Sequence, residues 1–184
     1  MLNIRVYRDS SLVLKPLTID DHEDFFKLLV DNYDYFKPSL MWMIKDELYE
    51  QSLESLKLRI TMTFRENNLP LWFGIYFNGT LCGLIGFNEL DVENNVGELG
   101  YFMSQRQSSK GLMSQSLSQI IAYSFEELAL NKLELYINEN NQASIRLANK
   151  HGFKLEGTIR EAVKVEDTYL NQHLYGLLKS EFHK

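Results

Sequence analysis

Residues 97–113 read GELGYFMSQRQSSKGLM, an apolar segment followed by a polar loop with one glycine and then by the start of another apolar pattern. The first seven residues are typical of a buried strand, and the apolar spacing in residues 113–128 predicts a helix. A helix N-terminus presents unpaired amides and a partial positive charge, so this junction can hold a phosphate group. A simpler alternative is that Ser108 or Ser109 caps the helix and that the two cations of the loop are solvated.

Local patterns predict the remaining elements. Thr18 and Asp21 form a capping box at the start of a helix. Asn78-Gly79 supplies the positive φ angles of a tight hairpin turn. Asn141 is placed to cap a short helix that ends at Gly152. The predicted order is strand 12–17, a helix through Phe25 and Leu29, a helix through Leu53 and Phe64 that stops near Asn67-Asn68, strands 71–77, 81–90 and 96–103, helix 113–128, strand 133–137, the Asn141 helix, and two strands joined at Glu166-Asp167.

Composition and charge limit the class of protein. The 184 residues are 45% hydrophobic and 24% charged, which favours one well-buried domain over residues 1–184. Cys82 is the only cysteine, so no internal disulfide and no zinc motif is expected, and no metal is predicted. The N-terminal residues lack a signal-peptide pattern, which favours the cytoplasm. A formal charge of -6 disfavours nucleic-acid and membrane partners, so a bound anion requires a local patch.

The order of elements indicates an α/β (α+β) fold with a mixed, mostly antiparallel sheet of about seven strands and helices on both faces. The order and spacing of GELGYFM, the R-x-x-S-x-G loop and NNQASIRLANKHGF resemble the GNAT superfamily of acetyl-CoA-dependent N-acyltransferases. More narrowly, SLMWM, GLMSQSL and HGFKLEG are similar to the branch that acetylates the N-terminal alanine or serine of ribosomal proteins. The resemblance covers nearly the whole chain.

The resemblance implies a set of residues that bind acetyl-CoA. The family loop is [QR]-x-x-G-x-[GA], and serine replaces its first glycine here, so the loop needs Ser109 to adopt an angle that glycine adopts easily. Asn141 is expected to brace the pantetheine arm, and Ser144 to protonate the leaving thiolate, although a helix-start serine also bonds locally. The cofactor-binding residues implied are Met103, Arg106, Ser108, Ser109, Lys110, Gly111, Leu112, Met113, Asn141 and Ser144.

Transfer to an amine also needs a base, because an ammonium ion cannot attack a thioester. By resemblance, the branch places a glutamate where this chain has Val163, which cannot accept a proton. Glu161 lies two residues earlier, on the same face of a regular strand, and could replace it. Glu98, on the strand before the loop, is the other candidate. Either carboxylate could instead be solvated or salt-bridged.

The implied activity is acetyl transfer to a primary amine by direct attack in a ternary complex. Removing the proton of an α-amine at neutral pH costs roughly 1 kcal/mol, and removing that of a lysine about 4 to 5 kcal/mol, so a displaced base favours a protein N-terminus. The alternatives are a small amine such as a polyamine or antibiotic, and a non-catalytic acyl-CoA-binding protein. The aromatic residues around Pro38 could wall an acceptor cleft or be ordinary core. A homo-oligomer is possible, and the sequence does not specify the acceptor.

Overall fold

The computed structural model describes residues 4–5, 11–40, 42–64, 68–165 and 167–182. Its helices are α1 (His22–Asp31), α2 (Tyr33–Phe36), α3 (Leu48–Thr61), α4 (Leu112–Glu126) and α5 (Gln142–Lys150). Its strands are β1 (Ile4–Arg5), β2 (Leu12–Pro16), β3 (Thr63–Phe64), β4 (Leu69–Pro70), β5 (Trp72–Phe77), β6 (Thr80–Asp91), β7 (Val96–Met103), β8 (Lys132–Asn138), β9 (Lys154–Val165) and β10 (Thr168–Leu178).

The main sheet has eight strands in the order β1-β2-β5-β6-β7-β8-β10-β9. β7 and β8 are parallel, whereas β1–β2, β2–β5, β5–β6, β8–β10 and β9–β10 are antiparallel pairs. The mixed, mostly antiparallel sheet is therefore confirmed, and the eighth strand is the two-residue β1. β3 and β4 form a separate two-stranded sheet. In the described ranges, none of the helices combines the length and apolar character needed to cross a bilayer.

The chain divides into two compact units. The first contains Met1–Gly86 and Tyr101–Gln119, and the second contains Phe87–Gly100 and Ile120–Lys184. β6, β7 and α4 each contribute residues to both units. The expectation of a single domain over residues 1–184 remains a prediction.

In the first unit, the β5–β6 hairpin forms as predicted. Asn78 has φ 51° and Gly79 has φ 78°, the pair of positive angles that a type I′ turn requires. Farther along β6, a Cβ atom at Gly83 would lie 2.5 Å from the carbonyl oxygen of Phe102. Only glycine permits this approach, which brings the backbone of β6 against the end of β7. The backbone amide of Ser104 then donates to the Cys82 carbonyl at 2.8 Å.

The second predicted helix ends earlier than expected. α3 stops at Thr61, because Met62 takes the extended angles φ -74° and ψ 111°, and Phe64 is buried in a strand. The buried positions of α3 are Leu48, Ser52 and Leu56, so the helix packs on a stripe displaced from the predicted one. The prediction that the helix continues to Asn67-Asn68 was wrong at Phe64, and Asn67 itself lies outside the described residues.

In the second unit, α5 begins and ends as predicted. The side chain of Asn141 accepts a hydrogen bond from the Ser144 amide at 3.1 Å, and Gly152 takes φ 82° after the last turn. Ala148 is the fully buried residue of this helix. β9 and β10 then form the closing antiparallel pair, and Glu166 of the predicted connection lies outside the described residues.

Candidate functional site

The loop between β7 and α4 is the most distinctive backbone in the first unit. Ser109 has φ 65° and Gly111 has φ 79°, so two left-handed residues alternate with Lys110 between them. Within the described residues, the backbone amides from Ser109 to Met113 donate no hydrogen bond. Alternating left-handed residues at a helix N-terminus form a concave row of amides that binds anions. Ser109 thus adopts the angle that the family loop obtains with glycine.

The loop side chains leave this row of amides open. Neither Ser108 nor Ser109 accepts a hydrogen bond from an amide of the first helical turn in the described part of the chain, so neither caps α4. The first turn of α4 also contains no acidic residue that would compete for its partial positive charge. Lys110 donates to the Gln107 side chain at 2.8 Å. Across the described ranges, neither Lys110 nor Arg106 forms an ion pair.

Two residues near the end of α1 support the loop, and the sequence did not indicate them. The Asn32 side-chain oxygen accepts a hydrogen bond from the Gln105 amide at 3.0 Å. The hydroxyls of Tyr35 and Ser108 lie 3.3 Å apart. Both contacts span 73 residues of sequence, so no local pattern could reveal them. They hold the loop from the side of α1 and α2.

Met103 and Cys82 occupy the base of the loop and are both buried. The Cys82 thiol donates to the Ile75 carbonyl at 3.2 Å, and burial raises the pKa of this thiol to about 11. A thiol with this pKa is protonated at neutral pH, so it is a poor nucleophile. Cys82 is therefore a residue of the core. The assignment of the Met103 backbone to cofactor binding remains a prediction.

In the second unit, Asn141 and Ser144 lie at the start of α5. The side-chain oxygen Oδ1 of Asn141 accepts a hydrogen bond from the Ser144 backbone amide and so caps the helix, and the Ser144 hydroxyl takes no part in this bond. Within the part of the chain that the structure describes, the Ser144 hydroxyl and the Asn141 side-chain NH₂ make no hydrogen bond. Both groups are half-buried. The local cap therefore exists, and it leaves the hydroxyl available as a donor.

Glu98 is a half-buried carboxylate on β7. It accepts a hydrogen bond from the Asn88 side chain at 2.9 Å. In the register of β7 with β8, Glu98 lies opposite Glu134. Burial raises the pKa of Glu98, the Asn88 hydrogen bond opposes this effect, and the Glu89 and Glu134 carboxylates raise it further. Lys132 forms ion pairs with Glu134 and Glu156, both at 2.7 Å. Among the described residues, Glu98 has no such cation partner.

The β7–β8 ladder ends at Glu98. β7 pairs with β8 only over Val96–Glu98, although β7 continues to Met103. A carboxylate at the end of a ladder, with a raised pKa and a fixed hydrogen-bond donor, has the properties of a general base.

Glu161 does not share a strand face with Val163, contrary to the prediction from the sequence. The register of β9 with β10 changes between Val163, opposite Leu170, and Ile159, opposite Gln172. Glu161 lies within this bulge with φ 49°, and its amide donates to the Asn171 side chain at 2.9 Å. The two-residue alternation that related Glu161 to Val163 is therefore interrupted, and the argument from a shared face was wrong. The Glu161 side chain is exposed.

The aromatic residues around Pro38 do not form one wall. Phe36 is core, with its ring centroid 5.2 Å from that of Phe102. Tyr35 reaches the loop, as described above, and the Tyr33 hydroxyl donates to the Met43 carbonyl at 3.4 Å. In the second unit, the His173 ring forms a hydrogen bond with the Thr158 hydroxyl across the β9–β10 pair at 2.9 Å.

Comparison with known proteins agrees with this architecture. The family model described as the acetyltransferase (GNAT) domain matches residues 11–154. The Bacillus subtilis protein YdaF, provisionally named a ribosomal N-acetyltransferase, is 30% identical over 131 residues, which cover 65% of this chain and 72% of YdaF. The ribosomal-protein-serine acetyltransferase of Escherichia coli is 24% identical over 165 residues, which cover 90% of this chain and 91% of that protein.

A solved structure shares the fold at lower identity. It is described as RimL, a ribosomal L7/L12 alpha-N-protein acetyltransferase in complex with coenzyme A, and it superposes with a TM-score of 0.87 at 19% identity. The match covers 98% of this chain and all of that one. The family model spans most of the chain, and the predicted fold and enzyme class agree with it. The chain belongs to the GNAT family of acetyltransferases.

Proposed function

We propose that this enzyme transfers an acetyl group from acetyl-CoA to the α-amine at a protein N-terminus. The observation that carries the proposal is the row of amides from Ser109 to Met113, which have no acceptor within the described residues. Five adjacent amides at a helix N-terminus can therefore donate to one ligand, and the partial positive charge of the helix end favours an anion. A pyrophosphate offers several charged oxygens in one place, and it therefore fits this row.

The side chains of the loop are assigned supporting roles. Arg106 and Lys110 supply the local positive charge that an acidic chain otherwise lacks, and Ser108 stiffens the loop through its bonds to Ser104 and Tyr35. Gly111, Leu112 and Met113 contribute their amides, and the Met103 backbone is assigned to the pantetheine arm. Asn141 is assigned to the same arm through its NH₂ group. No metal is needed in this scheme.

The chemistry assigned to the side chains is a pair of proton transfers. The thioester supplies the acetyl group, so a C–N bond forms to the amine and the C–S bond breaks. The acceptor ammonium loses two protons: Glu98 takes the first, which leaves a neutral amine that can attack. Ser144 donates its hydroxyl proton to the departing thiolate and regains a proton from the attacking nitrogen. We prefer Glu98 to Glu161 as the base, because Glu98 is half-buried with a raised pKa and the Glu161 side chain is exposed.

The acceptor class is inferred from the cost of deprotonation. An α-amine near pKa 7.7 to 8.0 needs roughly 1 kcal/mol to lose its proton at neutral pH, whereas a lysine near 10.4 needs between about 4 and 5 kcal/mol. Val163 stands where the branch has its glutamate, so the base is assigned to Glu98 instead. A base at this other position favours the acceptor that loses its proton at the lower cost. The Escherichia coli relative that is named a ribosomal-protein-serine acetyltransferase supports a protein acceptor. The cytoplasmic location expected from the sequence is part of this proposal.

Release of the CoA thiol from acetyl-CoA tests the function directly. The panel pairs peptides that have basic or acidic N-terminal sequences with the same peptides blocked at the α-amine, and adds spermidine and a free lysine derivative. We expect thiol release with unblocked peptides only, and a mass increase of one acetyl group at the α-amine. Release with spermidine alone would support a small-amine acetyltransferase. Thermal stabilisation by CoA without release for any acceptor would leave a non-catalytic acyl-CoA-binding protein.

Ser109→Val tests the role of the left-handed loop residue. A β-branched residue is strained by about 1 to 2 kcal/mol at positive φ, which should weaken the binding of CoA by about five- to thirtyfold. Calorimetric titration of CoA measures the affinity. Ser118→Val is the matched control, because Ser118 is an exposed serine in the body of α4. Equal CoA affinities for the two variants would show that the loop is not part of the CoA-binding site.

Glu98→Gln tests the base. Loss of a general base should lower kcat/KM by about 10²- to 10⁴-fold and abolish the acidic limb of the pH profile. Because the folded protein raises the pKa of Glu98, its ionised form destabilises the fold at neutral pH. The variant should therefore unfold at a higher temperature than wild type at neutral pH, and this difference should decrease as the pH falls and vanish well below pH 4.5, where Glu98 is protonated in the folded and the unfolded chain.

The control for the base is Glu161→Gln, measured under the same conditions. It removes an exposed carboxylate from the same unit, and we expect kcat/KM to stay within about twofold of wild type, since surface substitutions away from the chemistry have small effects. A large loss in Glu161→Gln together with normal activity in Glu98→Gln would reverse the assignment.

Ser144→Ala tests the acid that assists the leaving thiolate. The substitution keeps the backbone amide that Asn141 caps, so the start of α5 should be preserved. A role confined to the transition state predicts a kcat lower by about tenfold or more with an unchanged affinity for CoA. Single-turnover rates and CoA titrations measure the two quantities. Parallel losses in turnover and CoA binding would show that Ser144 serves only in binding or folding.

A further inference from the structure

Helix α1 carries two apolar stripes, and only one of them belongs to the core. His22, Phe25, Leu28 and Leu29 are buried. The second stripe consists of Phe26 and Val30, one turn apart on another side of α1, and continues to Tyr33 at the start of α2. Val30 is 47% exposed. The first unit therefore presents an apolar helix face that its own core does not use.

This second stripe forms one side of a groove. The groove has a volume of about 280 Å³ and is lined by Phe26, Val30, Tyr33, Lys45, Asp46, Leu48 and Tyr49. Pockets for small ligands are usually roughly 300 to 1,000 Å³ in volume, so this groove suits one or two side chains better than a cofactor. None of its lining residues belongs to the loop before α4. An exposed apolar groove of this kind is typical of a surface that binds another protein.

The far side of the groove is held by a packed network. The Tyr49 ring meets the Phe26 ring edge-on at 5.0 Å and the His22 ring at 4.8 Å. His22 in turn bonds to the buried hydroxyl of Ser52 at 2.9 Å, which joins α1 to α3. A groove that is already formed loses little conformational freedom when a partner binds.

The chain segment that supplies the groove is acidic. Between Ile19 and Glu50 the chain has nine carboxylate residues and three lysines, so this segment alone accounts for a formal charge of -6, equal to that of the whole chain. Asp46 lines the groove, and the Tyr49 hydroxyl donates to Glu23 at 3.1 Å. That hydrogen bond raises the pKa of Tyr49, and the nearby Glu50 carboxylate adds to the effect.

The lysines offset this charge only in part. Lys37 donates to the Met43 carbonyl, and the Lys45 ammonium lies 6.0 Å from the centre of the Tyr33 ring. Lys45 is therefore the one cation among the groove-lining residues, all of which the structure describes. The groove lining carries one cation, Lys45, and one carboxylate, Asp46, and the net negative charge of the segment that supplies the groove favours a cationic partner.

We propose that this groove docks a basic peptide segment of the acceptor protein, with one apolar side chain of that segment inserted between Val30 and Tyr49. The proposal rests on the proposed transfer to a protein amine and extends it by naming the acceptor class. The apolar side chain supplies affinity by burial, and lysine or arginine residues beside it supply selectivity through the surrounding carboxylates.

Direct binding separates this proposal from catalysis. The probe is a fluorescein-labelled peptide of lysine, serine and one leucine, blocked at its α-amine so that it cannot be acetylated, and fluorescence anisotropy measures its affinity. We expect binding that weakens at least about tenfold when glutamate replaces every lysine, or when serine replaces the leucine. Equal or tighter binding of the acidic peptide would overturn the proposal.

Val30→Lys and Leu58→Lys form a matched pair of variants. Both replace an exposed apolar residue of a helix in the first unit and change the net charge equally, but only Val30 lines the groove. We expect at least about tenfold weaker peptide binding for Val30→Lys and less than about twofold for Leu58→Lys. Val30→Lys should also raise KM for an unblocked basic peptide, with kcat and KM for acetyl-CoA unchanged.

Three outcomes distinguish the alternatives. Equal effects of the two substitutions on peptide binding would overturn the groove proposal, even if acetyl transfer is observed. Absence of transfer to any amine, with selective loss of peptide binding in Val30→Lys, would refute the proposed function and retain the groove as a basic-peptide site. A dimer that Val30→Lys alone dissociates, seen by sedimentation, would show that a second copy occupies the groove and would overturn the proposal.

Discussion

A row of backbone amides without acceptors is the constraint around which the first unit is organised. The amides from Ser109 to Met113 lie between β7 and the first turn of α4, where Ser109 and Gly111 adopt left-handed angles. The surrounding contacts hold this backbone in place. Asn32 and Tyr35 hold one side of the loop, and the close approach of Gly83 to Phe102 fixes the end of β7.

The parts of the fold that were predictable from the sequence are those encoded within a few residues. The Asn78-Gly79 turn and the Asn141 cap each follow from the conformational preference of one or two side chains, and both formed as predicted. The end of α3 did not, because leucine and phenylalanine spacing is compatible with a longer helix. Pairing of β3 with β4 decides that Phe64 leaves the helix, and periodicity carries no information about such pairing.

The candidate site was predictable as a set of positions but not as a geometry. The loop, Glu98 and the Asn141–Ser144 pair were all identified from the sequence, largely through a family resemblance. The bulge at Glu161 was not identified from the sequence. The alternation of side chains assumes a regular strand, and two extra residues in β9 interrupt that regularity. The contact of Asn32 with Gln105 spans 73 residues, so no local sequence pattern indicates it. The left-handed angle of Ser109, φ 65°, was expected only from the glycine of the family loop, because serine has no preference of its own for it.

Nuclear magnetic resonance of the ¹⁵N-labelled chain during a titration with CoA tests the central claim most directly. If the amides from Ser109 to Met113 bind the pyrophosphate, their signals should shift together and saturate with the same midpoint as CoA binding measured by calorimetry. The signals of amides in the body of α3, such as that of Leu58, should not shift. Saturation of the protein by CoA with unchanged signals from Ser109 to Met113 would contradict the account.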